Sequence, residues 1–157
     1  WFAYWKNPGL AVVNKAWDKV VIAKNQLAAT NILPGDLNGD GMMDFLASRG
    51  HSQGVIWFEG PKWKLHEIDR TIKSPHSLVL ADLDGDGDLD GATCGFESQR
   101  VAWYENDGEG RFAVHVIDED QESYDLRAVD MDYDGDLDLL NAGRATANVV
   151  WYENCLQ

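Results

Sequence analysis

Apolar residues in this chain fall in short runs, each bounded by Gly, Asn, Asp or Pro. No stretch shows the three-and-four spacing of a useful helix. SLVLAD (77–82), DGATC (90–94), VAWYE (101–105) and FAVHVI (112–117) follow one another closely, rich in β-branched and aromatic residues. They predict four consecutive short strands. The unit recurs. Between its first and second strands lies an acidic stretch, seen as DLNGDGMMD (36–44), DLDGDGDLD (82–90) and DMDYDGDLD (130–138). The third strand repeats as VIWFEG (55–60), VAWYEND (101–107) and VVWYEN (149–154), and the fourth as WKLHEID (63–69) and RFAVHVID (111–118). FAYWKNPG (2–9) and WDKVVIA (17–23) fit the third and fourth positions of an earlier unit.

The period is 46 to 48 residues, from Asp36 to Asp82 and from Asp82 to Asp130. Four strands in a repeat of that length predict a propeller blade. The fold class expected is therefore all-β, with blades of four antiparallel strands. The chain holds a half unit, two complete units, and a unit lacking its fourth strand, or about three blades. One segment, 1–157, is expected, with repeats at approximately 1–23 (partial), 24–69, 70–118 and 119–154. Closed propellers need about four to eight blades. The remaining blades are expected from the same longer chain or from other copies. The surplus third strand at the start favours an excerpt of a longer chain.

Composition narrows the partners. Apolar residues make up 45% and aromatics 11%, with seven tryptophans, which a disordered acidic chain would lack. The net charge of −14 argues against nucleic acid and against anionic membrane surfaces. No apolar run reaches the length of a membrane span, so no membrane insertion is expected. Cys94 and Cys155 are too few for a disulfide framework and are read as unpaired.

The acidic stretches read D-x-[DN]-x-D-G-x-x-D. Oxygen donors at alternate positions of a tight turn wrap a hard cation, and the glycine permits the bend. This is the first half of an EF-hand loop, but position 12 is Ala47, Thr93 or Asn141 rather than Glu, and a strand follows rather than a helix. The turns are therefore expected to close on their ninth residue. The ligand sets expected are Asp36, Asn38, Asp40 and Asp44; Asp82, Asp84, Asp86 and Asp90; and Asp130, Asp132, Asp134 and Asp138. The seventh residues, Met42, Asp88 and Asp136, are expected to offer a backbone carbonyl. Calcium suits such all-oxygen sites better than magnesium, and about three ions are expected. The three stretches hold 13 of the 27 acidic residues, so the rest of the chain, with 13 basic and 14 acidic residues, is near neutral.

These motifs resemble the VCBS/FG-GAP repeat family, the integrin-α-like β-propellers. The resemblance rests on the aspartate turn between two strands, the WYEN-type strand and the HVI-type strand. Asn38 stands where Asp is usual, and Tyr133 where Gly is common. The resemblance implies a calcium-binding propeller and a secreted, cell-surface or periplasmic location. Family members include adhesion proteins, lectins, and propeller domains of polysaccharide lyases and of a sugar dehydratase.

Antiparallel order places the acidic turns on one face of the ring, and the turns after each second and fourth strand on the other. That second face varies between repeats, which is where specific function can sit. It gathers Thr30, His76 and Tyr124 at the starts of first strands. It also gathers Arg49, His51 and Gln53, then Glu97, Ser98 and Arg100, then Arg144 and Asn148. The function expected is a calcium-stabilised extracellular module binding a carbohydrate or an extracellular protein. The alternative is the propeller part of a polysaccharide lyase or sugar dehydratase, a carbon–oxygen lyase acting on sugars. There His76 or Tyr124 would be the base, and Arg49, Arg100 or Arg144 would neutralise a sugar carboxylate. The catalytic candidates are thus His51, His76, Tyr124 and Arg144. His51 and His76 are also read as a possible transition-metal pair. His66 and His115 recur in phase, as do Trp57, Trp103 and Trp151, and are read as structural.

Overall fold

The computed structural model describes residues 1–12 and 14–156. Thirteen strands form four antiparallel sheets. The first sheet pairs β1 (Phe2–Lys6) with β2 (Asp18–Ala23). The second runs β3 (Asn31–Gly35), β4 (Asp44–Ser48), β5 (Gln53–Glu59) and β6 (Lys64–Lys73) in chain order. The third repeats this with β7 (Pro75–Ala81), β8 (Asp90–Gly95), β9 (Arg100–Asn106) and β10 (Phe112–Asp118). The fourth has β11 (Ser123–Val129), β12 (Asp138–Gly143) and β13 (Asn148–Tyr152). A single 3-10 turn at Leu10–Val12 is the only helical element among the described residues. Each strand pairs only with its neighbours in sequence, as short turns require. These are the blades expected of a partial propeller.

The first strand of each blade is innermost. β7 lies beside both β3 and β11. Asn31 Nδ2 donates to the His76 carbonyl, and Ser77 Oγ donates to the Leu126 carbonyl at 3.1 Å. Pro34 is tolerated in β3 because that strand pairs on one side only, with β4. One difference from the sequence reading lies in β6, which continues past Asp69 to Lys73 and pairs Lys73 with Gln53 after two register shifts.

Blades pack face to face through three apolar layers. Phe2 and Ile22 meet Ala47, Ile56 and Phe58. Leu37, Leu46, Val55 and Trp57 meet Leu78, Ala102 and Tyr104. Val79, Leu83, Ala92 and Val101 meet Leu126 and Leu139. Cys94 is buried in this last layer, and burial pushes its thiol up to about 12; Cys155 is exposed, and both are free.

Repeating polar clasps explain why the motifs recur. Within a blade, the tryptophan of the third strand stacks on the histidine registered opposite it in the fourth: Trp57 on His66 at 4.3 Å and Trp103 on His115 at 4.6 Å. Each histidine also bonds the glutamate two residues after that tryptophan, Glu59 at 2.7 Å and Glu105 at 2.6 Å. Between blades, the next third-strand tyrosine donates to the aspartate that closes the HEID or HVID run of the preceding fourth strand. Tyr104 reaches Asp69 at 3.3 Å, and Tyr152 reaches Asp118 at 2.7 Å. At the first interface both partners change together: Phe58 replaces the tyrosine, and Ala23 the aspartate. Trp151 is 43% exposed because, among the described residues, β13 forms the edge of its sheet.

Candidate functional site

The three acidic turns join β3 to β4, β7 to β8 and β11 to β12. Their shape comes from aspartates capping backbone N–H groups two to five residues on, which are Asx turns. Asp36 accepts from Gly41 at 2.8 Å, Asn38 from Asp40 at 3.2 Å and Asp40 from Met42 at 2.8 Å. In the second turn Asp82 accepts from Gly85 at 2.8 Å and Gly87 at 3.1 Å, Asp84 from Asp86, and Asp86 from Asp88. Glycine serves the positive φ at the fourth position, 71° at Gly39 and 78° at Gly85. Tyr133 holds 66° in the third turn, where an ordinary side chain is strained.

These bends aim carboxylates at one point. Asp82, Asp84 and Asp86 offer oxygens all within 4.8 Å of one another, and so do Asp130, Asp132 and Asp134. Burial, and then the Asp86 carboxylate, push Asp84 up; burial and Asp134 do the same to Asp132. Asp130 Oδ1 is buried with no hydrogen-bond partner. Hard oxygens that repel one another, with one orphaned, are a donor set that fits a divalent cation. The first turn brings Asp36, Asn38 and Asp40 together by the same hydrogen bonds, with an amide in place of one carboxylate.

The ninth aspartates are held by the backbone. Both oxygens of Asp44, Asp90 and Asp138 are taken by backbone N–H donors. Leu37 and Gly60 donate to Asp44 at 2.9 and 2.7 Å. Leu83 and Asn106 donate to Asp90 at 3.0 and 2.8 Å, and Met131 and Asn154 to Asp138 at 2.9 and 2.8 Å. None of the three belongs to the oxygen clusters. Burial raises Asp44 and Asp90, against the N–H groups that hold them ionised. In the structure these residues tie the turn to the end of the third strand. Of the seventh residues, Met42 is exposed, Asp88 abuts Gly108, and Asp136 accepts the Leu156 N–H at 3.0 Å.

Two further residues on this side escaped the sequence reading. Asn106 Nδ2 donates to the carbonyls of Leu37, in the preceding blade's turn, and Leu89, in its own, at 3.0 and 3.1 Å. Asn154 does the same to Leu83 and Leu137, at 2.7 and 3.2 Å. The final letter of WYEN therefore fastens consecutive turns together. Its recurrence in phase was the available signal.

On the opposite face, four candidates from three blades meet. The rings of His51 and His76 are 4.6 Å apart, edge to face. His76 stacks on Tyr124 at 4.0 Å. The Arg144 guanidinium lies 4.7 Å from the centre of the Tyr124 ring and 5.4 Å from that of Phe96, which itself meets Tyr124 edge to face. Phe96 was not among the expected residues. It occupies the first position after a second strand, equivalent to Arg49 and Arg144. Other candidates are engaged elsewhere. Arg49 is ion-paired with Glu67 at 3.2 Å, Arg100 donates to Thr71 at 2.9 Å, and Thr30 accepts from Gly50 at 2.8 Å. Among the described residues no third His, Cys, Asp or Glu joins His51 and His76 in a metal-holding group.

A backbone rim holds this face. Ser74 N–H donates to Ser52 and Phe96 N–H to Ser74, at 2.8 and 3.1 Å. Gln121 donates to Gln99 and Ala145 to Glu122, at 2.9 and 3.2 Å. Burial lowers His76 below the usual 6.5, the neighbouring His51 and Arg144 lower it further, and Glu97 partly opposes them. Because the folded value lies below the unfolded one, the stability His76 contributes is complete above about pH 6.5. It is lost as pH falls through the folded value. The His76 ring resonances should therefore titrate below pH 6.5 by NMR, with the midpoint moving up in Arg144→Gln. An unmoved midpoint would show that Arg144 does not act on His76.

Antiparallel meanders of three or four strands, packed side by side with their first strands innermost and each carrying an aspartate-rich turn between its first two strands, define a propeller-type repeat protein. The FG-GAP-like repeat matches residues 36–93 and again 82–141, and the chain belongs to that family. Comparison with curated proteins returned no match. No helix among the described residues is long and apolar enough to cross a membrane.

Proposed function

We propose that the chain is a calcium-stabilised extracellular propeller segment that binds a carbohydrate or protein ligand through the rim opposite its acidic turns. The observation that carries this reading is the convergence of His51, His76, Phe96, Tyr124 and Arg144 from three successive blades. Calcium at the acidic turns is supported by the clustered oxygens and the orphaned Asp130 oxygen. A secreted, cell-surface or periplasmic setting suits turns of this exposed kind, since extracellular modules work at about 10⁻⁴–10⁻³ M calcium. The remaining blades come from the same longer chain or from other copies.

The test presents the calcium-loaded chain to immobilised glycans and extracellular proteins. Binding should appear and should be lost in Tyr124→Ala. Absence of any binder, or a binder indifferent to Tyr124→Ala, overturns the reading.

A second reading, a sugar lyase, is favoured by one observation. A histidine biased toward its neutral form stacks on a tyrosine beside an arginine. In such a reaction a base takes the proton next to the sugar carboxylate, the electrons form a carbon–carbon double bond, and the adjacent carbon–oxygen bond breaks, its oxygen leaving as a hydroxyl with a proton taken from the protonated base or water. The intact native polypeptide, mixed with acidic polysaccharide, should then generate the ultraviolet absorbance of an unsaturated sugar. Binding without that absorbance leaves the module reading alone.

A further inference from the structure

We infer that the rim's ligand is an anionic sugar, bearing a carboxylate or sulfate that Arg144 grips. This rests on the reading above that the rim binds a ligand. Two arginines occupy the same turn position in different blades, and the fold treats them differently. Arg49 is neutralised by Glu67 and also bonds Gln26 at 3.2 Å. Arg144 has no carboxylate within ion-pair distance and no hydrogen-bond acceptor among the described residues. It is held over two aromatic rings instead. Contact with a ring's face positions a guanidinium without using up its fork of N–H donors, the geometry that receives a carboxylate or sulfate through two bonds.

The surroundings favour the same charge. His51 and His76 add ring nitrogens on the same rim, His76 stacked on the Tyr124 ring over which Arg144 lies, and Glu97, which is exposed, opposes Arg144 and His51 at His76. The chain's dense acidity lies in the turns between first and second strands, at the other ends of the blades. Arg144 thus stands as an unpaired cation on a variable face that also carries Glu97 and Glu122, the latter's carboxylate already bonded by Gln99.

Sugar is favoured over an acidic peptide by the rim's backbone. Its N–H groups at Ser74, Phe96, Gln121 and Ala145 are already paired within the protein. A peptide strand adding to this face would find no backbone ladder there to join. What remains is side chains: the Arg144 fork over the partly exposed Tyr124 ring, with His76 stacked on that ring and His51 edge-on to His76. A sugar, whose hydroxyls can meet the Tyr124 hydroxyl and the histidine ring nitrogens while one anionic substituent meets the Arg144 fork, matches that arrangement.

The test measures binding of cellotetraose, its C6-carboxylated form and its C6-sulfated form to the calcium-loaded chain, by calorimetry and by shifts of the His76 ring resonances. One or both anionic forms should bind at least about tenfold tighter than the neutral one. Arg144→Gln should remove that preference, and Arg144→Lys should restore only part of it, because a point charge lacks the fork. Arg144 is exposed, so its replacement leaves the fold intact, as an unchanged melting temperature will verify. The two anionic arms identify the group preferred. Equal binding of charged and neutral sugars, indifferent to Arg144→Gln, overturns this inference while leaving the ligand-binding reading standing. Equally tight, Arg144-dependent binding of a glutamate hexapeptide overturns the choice of sugar. No binding of any probe to the rim, joined to failure of the glycan and protein panel, removes both readings.

Discussion

Excess EDTA should lower the melting temperature of the chain by about 5–10 °C for each calcium site emptied. The size follows from linkage. A turn with a dissociation constant of about 10⁻⁴ M, bathed in about 10 mM calcium, gains about 2.7 kcal/mol of folded-state stability. In a chain of this length each kcal/mol moves the midpoint by about 2–4 °C. The second and third turns should dominate, because their oxygen clusters contain three carboxylates each. The first, with Asn38 at its third position, should contribute least. Titrating calcium back should restore the midpoint, and magnesium should restore less of it, since magnesium demands a tighter octahedron. A melting curve indifferent to EDTA would mean that the acidic turns hold no structural cation.

The second large effect separates ligands from struts. Asp90→Ala should cost about 3 kcal/mol in EDTA as well as in calcium, read from urea midpoints at unchanged slope. The substitution leaves the buried N–H groups of Leu83 and Asn106 without an acceptor, and each such orphan costs about 1–3 kcal/mol. Asp84→Ala should behave in the opposite way. Its side chain is only partly buried, so in EDTA the change should stay within about 0.5 kcal/mol, while the second turn's response to calcium disappears. Asp90→Asn, which keeps one acceptor oxygen, should fall between Asp90→Ala and the parent. If Asp90→Ala instead matches the parent in EDTA and loses only its calcium response, the ninth aspartate is a ligand.

The periodic parts of this architecture were readable before any coordinates. Acidic stretches repeating every 46 to 48 residues, between runs of alternating polarity, were enough to order the strands. The alternation of up and down strands was enough to put His51, His76, Tyr124 and Arg144 on one face. What escaped was what depends on three-dimensional register. Asn106 reaches Leu37 across 69 residues of chain, and no local pattern predicts that contact. The backbone partners of the ninth aspartates were hidden for a related reason. A carboxylate is equally suited to a cation and to a pair of N–H groups, and only geometry says which it meets. Phe96 was overlooked because an isolated aromatic in a polar turn has no period to announce it. The extension of β6 through Arg70 and Thr71 was missed because exposed polar residues interrupt the apolar alternation there.

The paired replacement of tyrosine by Phe58 and aspartate by Ala23 gives the molecule one seam unlike the others. Gly60 also stands where Asn106 and Asn154 make their bridges, so on the acidic-turn side the first two-stranded sheet is joined to its neighbour through aliphatic and aromatic contact. Attraction of that kind fades as water cools, whereas hydroxyl-to-carboxylate and amide-to-carbonyl bridges do not rest on it. On cooling, the amino-terminal two-stranded sheet should therefore be the first to loosen, the later wedges keeping their polar latches.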